Sequence, residues 1–391
     1  MPDNNGEQYK AEIAMLSREI HRLNHQLEQT GRTKKINKYA PFDNPTDYPN
    51  FSGDYSVILP QLDSQNYSIP LEPSSSERKK LKRYYSIGGW CVILQFLFSN
   101  VLIQGLVLLI SALLGSLNSD TGNRVIMSYI QSSSILAGIT LLTYMTVNVT
   151  FGFMGLKLAK VRKLQLVRTK NFAFSQIIQY CIIGIAIWSF SAFASGCLND
   201  VFSKYGYPIQ SPDISNIGNT STGFAVLTIY TCLIAPVTEE IFFRGMLLRV
   251  FSKANQRFAI FFSALFFGLC HGNIPQMILG FLLGIFLAHI TLKHNSIIPS
   301  VIVHIFINIS VTVLSFVTDS LSSEYMAVLE TGMSAVGFIG LFMLIVFYSN
   351  DKIPSTTPAQ SRRGIYVASG SIPFVIALLL ETAYVVYNTI M

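Results

Sequence analysis

The residues of this chain that could do chemistry lie inside stretches that are otherwise apolar enough to cross a membrane. They form three short fragments: Glu239-Glu240-Ile-Phe-Phe-Arg244, Phe267-Gly-Leu-Cys-His271 and His304-Ile-Phe-Ile-Asn308. A charged side chain at bilayer depth costs roughly 2.5–3.5 kcal/mol on insertion scales, so such residues are rare and usually functional. Two carboxylates, an arginine, two histidines and an asparagine in these positions indicate a reactive site within the membrane.

The three fragments also share a depth. Each is separated by ten to fourteen residues from a basic residue that marks the predicted inner end of its helix, counted from Arg249 to Glu239, from Arg257 to His271 and from Lys293 to His304. At about 1.5 Å per helical residue, all three groups lie roughly 15–21 Å from the inner face. The sequence therefore predicts that side chains from three helices meet in one layer.

The first fragment assigns different tasks to two adjacent glutamates. Glu240 and Arg244 are four residues apart, so they share one helix face and are predicted to form an ion pair. Such a pair lowers the cost of burying either charge. Glu239 projects in another direction and is left to face the bundle interior. Pro236, one turn earlier, is expected to kink the helix or to free backbone carbonyls.

Two chemical interpretations of this cluster remain open. Glu239 and the imidazoles of His271 and His304 can polarise one water and take its proton. Alternatively, the same three residues can hold Zn²⁺, which lowers the pKa of a bound water to about 7. Asn308 lies one turn beyond His304 and could donate to the oxyanion of a scissile carbonyl. Both interpretations describe amide hydrolysis by activated water, without the HExxH motif of soluble zinc proteases.

These motifs resemble those of the CPBP intramembrane proteases, a family that includes the type II CAAX prenyl proteases and the bacterial Abi, or bacteriocin-processing, proteins. The resemblance covers about residues 223–312. It implies a helical bundle of about eight spans with a site open to the cytoplasmic side. It also implies that Glu239 and His271 activate the water, and that His304 and Asn308 bind the reaction centre or stabilise the oxyanion. Glu240 and Arg244 would then be mainly structural.

Composition gives the fold class independently. Half of the 391 residues are hydrophobic and only 13% are charged, whereas a soluble domain usually carries about 25% charge. Apolar runs long enough to span a bilayer recur, so the chain is predicted to be an all-α, polytopic transmembrane bundle of about eight to nine spans. The net charge of +7 is clustered in loops. That clustering is typical of cytoplasmic loops and argues against nucleic-acid binding.

Three regions are predicted along the chain. Residues 1–84 form a polar cytoplasmic region, with a short amphipathic or coiled-coil helix at residues 9–29 that could bind a protein partner and a disordered linker at residues 31–77. Residues 85–350 form the protease-like bundle. Residues 351–391 form a cytoplasmic loop and a possible last span. The nine predicted spans are 88–117, 125–152, 174–197, 223–250, 257–271, 275–292, 297–318, 332–349 and 371–390.

Two details of the spans carry structural predictions. Gly280 and Gly284 form a GxxxG face, which would let the sixth span pack closely on a neighbour. Glu381, inside the last span, is interpreted as the partner of a nearby lysine or as an interfacial residue rather than as a functional carboxylate. The chain is predicted to lie in a cell membrane, with its amino terminus in the cytoplasm and lipid around its spans.

The sequence thus predicts an intramembrane endopeptidase that cleaves a membrane-associated or small peptide substrate. A bacterial membrane is expected from the composition and the resemblance. The substrate could be a bacteriocin or signalling peptide precursor, or a prenylated protein where the host prenylates. The principal alternative is a non-enzymatic bacteriocin-immunity or scaffold protein that keeps the polar cluster as a structural core. A transporter that moves protons or metal through Glu239 and the histidines is a third class.

Overall fold

The computed structural model is helical, with no strand among the residues it describes. It describes residues 73–117, 134–161, 166–167, 172–207, 209, 221–320, 322–350 and 358–390, together with Met15, Arg18, Glu19 and Arg22. The chain divides into two compact units, Met1–Phe51 and Ser52–Met391. The predicted all-α class is confirmed.

In the first unit, the predicted helix at residues 9–29 lies outside the described residues except at four positions. Met15, Arg18, Glu19 and Arg22 are helical and exposed, and Nη2 of Arg22 lies 2.7 Å from Oε1 of Glu19. The predicted linker also lies outside the described residues as far as residue 72. A partner for this region stays a prediction.

The second unit contains ten helices within its described residues. They are α1 (Ser75–Leu117), α2 (Ser134–Leu158), α3 (Phe174–Lys204), α4 (residues 221–252), α5 (Gln256–Leu269), α6 (Ile274–His294), α7 (Ile298–Ser320), α8 (Ser323–Asn350), α9 (Pro358–Ser369) and α10 (Ile372–Ile390). The start of α1 corrects the predicted linker, which was expected to extend to residue 77. Oγ of Ser74 accepts from the backbone N–H of Glu77 at 3.3 Å, so this serine caps the helix and starts it early.

Six of the described helices are long and apolar enough to cross a membrane, and the chain is a multi-pass membrane protein. These segments are Phe174–Lys204, Phe224–Ser252, Ile274–His294, Ile298–Val317, Thr331–Asn350 and Ile372–Thr389. The predicted span 88–117 falls on α1, and residues 134–152 of the predicted span 125–152 fall on α2; neither helix is among the six. Residues 125–133 lie outside the described part of the chain. The predicted span 257–271 falls on α5, which has only 14 residues. At about 21 Å, α5 is too short to cross a hydrocarbon core of about 30 Å, so that prediction is wrong.

Helices α5 and α6 form a close hairpin. A Cβ atom added at Gly280 would lie 3.0 Å from Cα of Gly268, and one added at Gly284 would lie 3.0 Å from Cα of Ala264. The prediction that the GxxxG face packs closely is therefore confirmed, and its partner is α5.

The last helix, α10, packs between α1 and α5. Oγ of Ser371, just before α10, lies 2.9 Å from Oγ of Ser86 on α1. The ring of Phe374 contacts the rings of Phe258 and Phe262 on α5. Glu381 is only 1% exposed and neither carboxyl oxygen has a hydrogen-bond partner among the described residues. The interpretation of Glu381 as lysine-paired or interfacial is therefore wrong, because the sequence does not show which face of α10 meets the bundle.

Candidate active site

The helix that carries the two glutamates is not a regular α-helix. Helix α4 contains two π-helical segments, Tyr230–Ile234 and Glu240–Leu247, separated by the short α-helical segment Ala235–Glu239. Segments of this kind are rare and often occur at functional sites. Glu239 ends the α-helical segment and Glu240 begins the second π-helical segment. The two glutamates therefore lie on either side of a change in helical pitch.

Glu240 is at the centre of a buried charge cluster. Its Oε1 lies 2.9 Å from Nη1 of Arg244, and both side chains are fully buried. The same oxygen lies 3.1 Å from Nδ1 of His304 on α7. A carboxylate can only accept, so Nδ1 of His304 carries the proton and donates it. The structure thus gives Glu240 a second contact that helix spacing alone does not show: it anchors the imidazole of His304.

Arg244 also lies against an aromatic ring. Its Cζ atom is 4.0 Å from the centre of the Phe267 ring on α5. This cation–π contact is stronger where water is excluded. None of the guanidinium nitrogens has an acceptor in hydrogen-bonding geometry among the described residues. Arg244 is therefore held by charge and stacking, through Glu240 and Phe267.

Glu239 faces the other side of the same imidazole. Its Oε2 lies 3.7 Å from Nε2 of His304, and its side chain is 20% exposed while that of His304 is 5% exposed. Because Nδ1 of His304 donates to Glu240, its Nε2 is the ring nitrogen that faces Glu239. A distance of 3.7 Å is too long for a hydrogen bond, but catalytic contacts are often loose before substrate binds.

His271 lies in a turn and not on a helix, which corrects the predicted span 257–271. Helix α5 ends at Leu269 and the chain reverses through Gly272, whose φ of +68° favours glycine. Asn273 then caps α6, with its Oδ1 accepting from the N–H of Gln276 at 3.0 Å. Nδ1 of His271 donates to the carbonyl oxygen of Phe267 at 2.8 Å. Its Nε2 therefore has a lone pair free for a reactant.

The two histidines share one aromatic neighbour. The ring centre of Phe267 lies 5.2 Å from that of His271 and 5.5 Å from that of His304, both edge-to-face. Phe267 therefore contacts both imidazoles and the guanidinium of Arg244. Among the described residues, however, no hydrogen bond or ion pair joins His271 to Glu239 or His304. The structure brings Glu239 and His304 together directly, whereas His271 reaches this cluster through its contact with the Phe267 ring.

A metal ion is not easily accommodated by this arrangement. Within the described part of the chain, no group of three or more His, Cys, Asp or Glu side chains could hold one. The proposed set of Glu239, His271 and His304 therefore does not fit Zn²⁺ as it stands. The involvement of zinc stays a prediction, and no step below uses it.

Asn308 is bound to the backbone of α4. Its Nδ2 donates to the carbonyl oxygen of Thr231 at 2.8 Å. In the first π-helical segment the N–H of Ala235 donates to the oxygen of Tyr230, five residues back. In that register the donor for Thr231 would be residue 236, and Pro236 has no N–H. Asn308 therefore supplies the donor that the proline lacks, and one of its two N–H groups remains for a substrate.

Sequence reasoning missed the contribution of α10. Nδ2 of Asn388 donates to the carbonyl oxygen of Gly272 at 2.9 Å, next to His271. A Cβ atom at Gly272 would lie 2.5 Å from the ring of Tyr384. The available signal was a polar pair four residues apart, Tyr384 and Asn388, in an otherwise apolar span.

Of the comparisons with known proteins, the family models gave a match. Neither the curated proteins nor the solved structures include a significant match to the chain. Residues 221–310, which contain α4 to the middle of α7, match the family model described as "Rce1-like: Type II CAAX prenyl endopeptidase Rce1-like". The resemblance found in the motifs is thereby supported over this region, which is consistent with a CPBP family intramembrane protease and, at the family level, with an intramembrane endopeptidase.

Proposed function

We propose that this chain is an intramembrane endopeptidase that hydrolyses a peptide bond with a water activated by Glu239. The observation that carries the proposal is the row formed by Glu240, His304 and Glu239. A fully buried carboxylate anchors Nδ1 of the imidazole at 3.1 Å, and Nε2 faces a partly exposed carboxylate at 3.7 Å. An imidazole oriented by a carboxylate is a general arrangement for activating a nucleophile, and here it lies beside the carboxylate proposed as the base.

The reaction follows from these positions. Glu239 takes a proton from water as the water oxygen adds to the scissile carbonyl carbon. His304 lies between the two carboxylates and is held in one tautomer, so its Nε2 can accept a hydrogen bond from the same water. The proton held by Glu239 then passes to the amide nitrogen as the carbon–nitrogen bond breaks. Water supplies one hydrogen to the amine product and its oxygen to the acid product.

His271 and Asn308 take supporting parts in this proposal. His271 presents Nε2 from the α5–α6 turn, where it can bind the water or move a proton to the leaving group. Asn308 is fixed through its contact with Thr231, and its remaining N–H can donate to the oxyanion. A donor that is already oriented loses little entropy when charge develops, which favours the transition state.

The surroundings of the site favour a substrate that arrives through the membrane. The exposed side chains beside it are apolar on α4, at Leu233 and Val237, and on α7, at Phe306 and Ile309. Such a surface suits a lipid-anchored or membrane-spanning peptide. The name of the matched family points to a prenylated peptide; a small bacteriocin or signalling precursor in a bacterial cell membrane is the other class.

The proposed topology places the amino terminus in the cytoplasm. Five basic residues near the start of α1 support it, because positive charge is retained on the cytoplasmic side: Arg78, Lys79, Lys80, Lys82 and Arg83.

The test compares three full-length proteins in membranes at matched abundance: the wild type, Glu239→Gln and Glu381→Gln. The last is a matched control, because it makes the same change at a buried carboxyl outside the charge cluster. Membranes are incubated with a farnesylated peptide ending in a CAAX sequence and with peptides from the host membrane, and the products are identified by mass spectrometry.

We expect the wild type and Glu381→Gln to release the same peptide, and Glu239→Gln to release none. If Glu239→Gln cleaves as fast as the wild type, Glu239 is not the base. If no peptide is cleaved by any protein, yet deletion of the protein gives a phenotype that Glu239→Gln rescues, the immunity or scaffold function replaces the protease.

A further inference from the structure

The turn that carries His271 lies where backbone groups are costly to leave unpaired. Gly272 and Asn273, which follow His271 in the α5–α6 turn, are buried. A carbonyl in such a place needs a donor from the protein, because a buried backbone group left unpaired is costly. The carbonyls of His271 and Gly272 both lie beyond the last turn of α5, where no helical partner is available.

Both carbonyls are satisfied by asparagine side chains, from two different helices. Nδ2 of Asn273 donates to the oxygen of His271 at 3.0 Å, and Nδ2 of Asn388 donates to the oxygen of Gly272 at 2.9 Å. Asn273 is close in sequence and also caps α6. Asn388 lies 116 residues beyond Gly272 in the chain. Its contact with the turn therefore depends entirely on how α10 packs.

Helix α10 fits the turn closely. A Cβ atom at Gly272 would be 2.5 Å from Cε1 of Tyr384 and 3.0 Å from Nδ2 of Asn388. The ring of Tyr384 packs in turn against Phe96 of α1, with ring centres 5.2 Å apart. Position 272 strongly favours glycine, since its φ is positive and side chains of α10 fill the space beside it. Helix α10, which lies outside residues 221–310 matched by the family model, thus supports the turn.

We propose that Asn388 is a positioning residue for His271, acting by holding the carbonyl of Gly272. This inference rests on the proposed function, and it extends the active site to a helix beyond residues 221–310. His271 has its Nδ1 bound to the carbonyl of Phe267 on α5, so the direction of its ring depends on the backbone of the turn. If the turn shifts, Nε2 of His271 moves relative to Glu239 and His304.

The experiment uses the full-length protein in lipid nanodiscs and four forms: wild type, Asn388→Leu, Asn388→Gln and Thr389→Val. Leucine has nearly the size of asparagine but no donor, and glutamine keeps the donor. Thr389→Val is the matched control, because the hydroxyl of Thr389 bonds only within α10, to the oxygen of Val385 at 2.7 Å. Two properties are measured: hydrogen–deuterium exchange of residues 267–277, and the kcat and KM for the peptide that the wild type cleaves in the mass-spectrometric test of the proposed function.

We expect Asn388→Leu to raise exchange in the turn at least threefold and to lower kcat by roughly tenfold to a hundredfold with KM unchanged, because a small misplacement of a reacting group is costly. Asn388→Gln should recover most of the rate, and Thr389→Val should match the wild type. Unchanged exchange in Asn388→Leu overturns the inference, whatever happens to cleavage. Raised exchange with wild-type kcat also overturns it, since the turn would then not position His271. If the wild type cleaves nothing, the proposed function fails, and exchange alone decides whether Asn388 holds the turn.

Discussion

The same conservative substitution, glutamate to glutamine, is expected to have different effects at the two adjacent glutamates. Glu240 is fully buried, pairs with Arg244 at 2.9 Å and anchors His304 at 3.1 Å. Glu239 is 20% exposed, and its ion-pair contact is to Nε2 of His304 at 3.7 Å. We therefore expect Glu239→Gln to keep the fold and lose cleavage, and Glu240→Gln to lose stability as well.

The expected loss of stability in each variant follows from how deeply the replaced carboxylate is buried. Removing one partner of a buried ion pair typically costs about 3–5 kcal/mol, because the other charge is left uncompensated; here that charge is Arg244. At roughly 2–4 °C per kcal/mol for domains of 150–250 residues, Glu240→Gln should lower the thermal midpoint by about 6 °C or more. A partly exposed pair contributes at most about 1 kcal/mol, so Glu239→Gln should stay within about 4 °C of the wild type.

Thermal midpoints are measured on the purified proteins in one detergent, beside the cleavage assay. The double variant Glu240→Gln/Arg244→Met removes both charges and should regain at least half of the lost stability, because no unpaired charge remains. It should not regain cleavage, since His304 loses its anchor. If Glu239→Gln and Glu240→Gln melt at the same temperature, the buried pair does not stabilise the bundle and the reasoning is refuted.

Three further outcomes are expected. Asn308→Ala should lower the free energy of unfolding, measured by chemical denaturation, by about 0.5–1.5 kcal/mol. The loss should be smaller in a Pro236→Ala background, because residue 236 then has an N–H for the carbonyl of Thr231. Strictly additive effects of the two substitutions would contradict this. Glu381→Leu removes a buried carboxyl without a partner and should stabilise the protein by about 1–3 kcal/mol in the same assay, whereas destabilisation would indicate an unseen partner. A chelator such as 1,10-phenanthroline should leave cleavage intact, and an inhibition reversed by Zn²⁺ would show that the side chains rearrange around a metal.

Much of the site could be read from spacing along single helices. Glu240 and Arg244 are four residues apart, so their ion pair needs no knowledge of tertiary structure. The break between α5 and α6 could also be placed, because Gly272 and Pro275 are typical of a helix end and a helix start. The predicted helix still extended two residues too far, because neither Cys270 nor His271 is a residue type that marks a helix end.

Contacts between helices could not be read in this way. The bond from His304 to Glu240 depends on which face of α7 meets α4, and neither sequence shows it. The burial of Glu381 depends in the same way on the rotation of α10. A carboxylate in an apolar helix can face lipid headgroups or the bundle. The spacing of apolar residues does not show which of these two directions it takes, because nearly every position of the helix is apolar.

The irregular geometry of α4 explains why Asn308 was expected to be wholly available for catalysis. In a regular helix the carbonyl of Thr231 would pair with the N–H of Ala235, four residues later, and Pro236 would instead leave the carbonyl of Cys232 without a donor. In the π-helical register the carbonyl of Thr231 is left over, because Pro236 stands where its donor should be. The proline and the asparagine are therefore parts of one feature, although 72 residues separate them. That feature ties α7, which carries His304, to α4, which carries Glu239, within two turns of the reacting groups. The bond to Thr231 costs Asn308 one donor, and it joins the helix of the base to the helix of its imidazole.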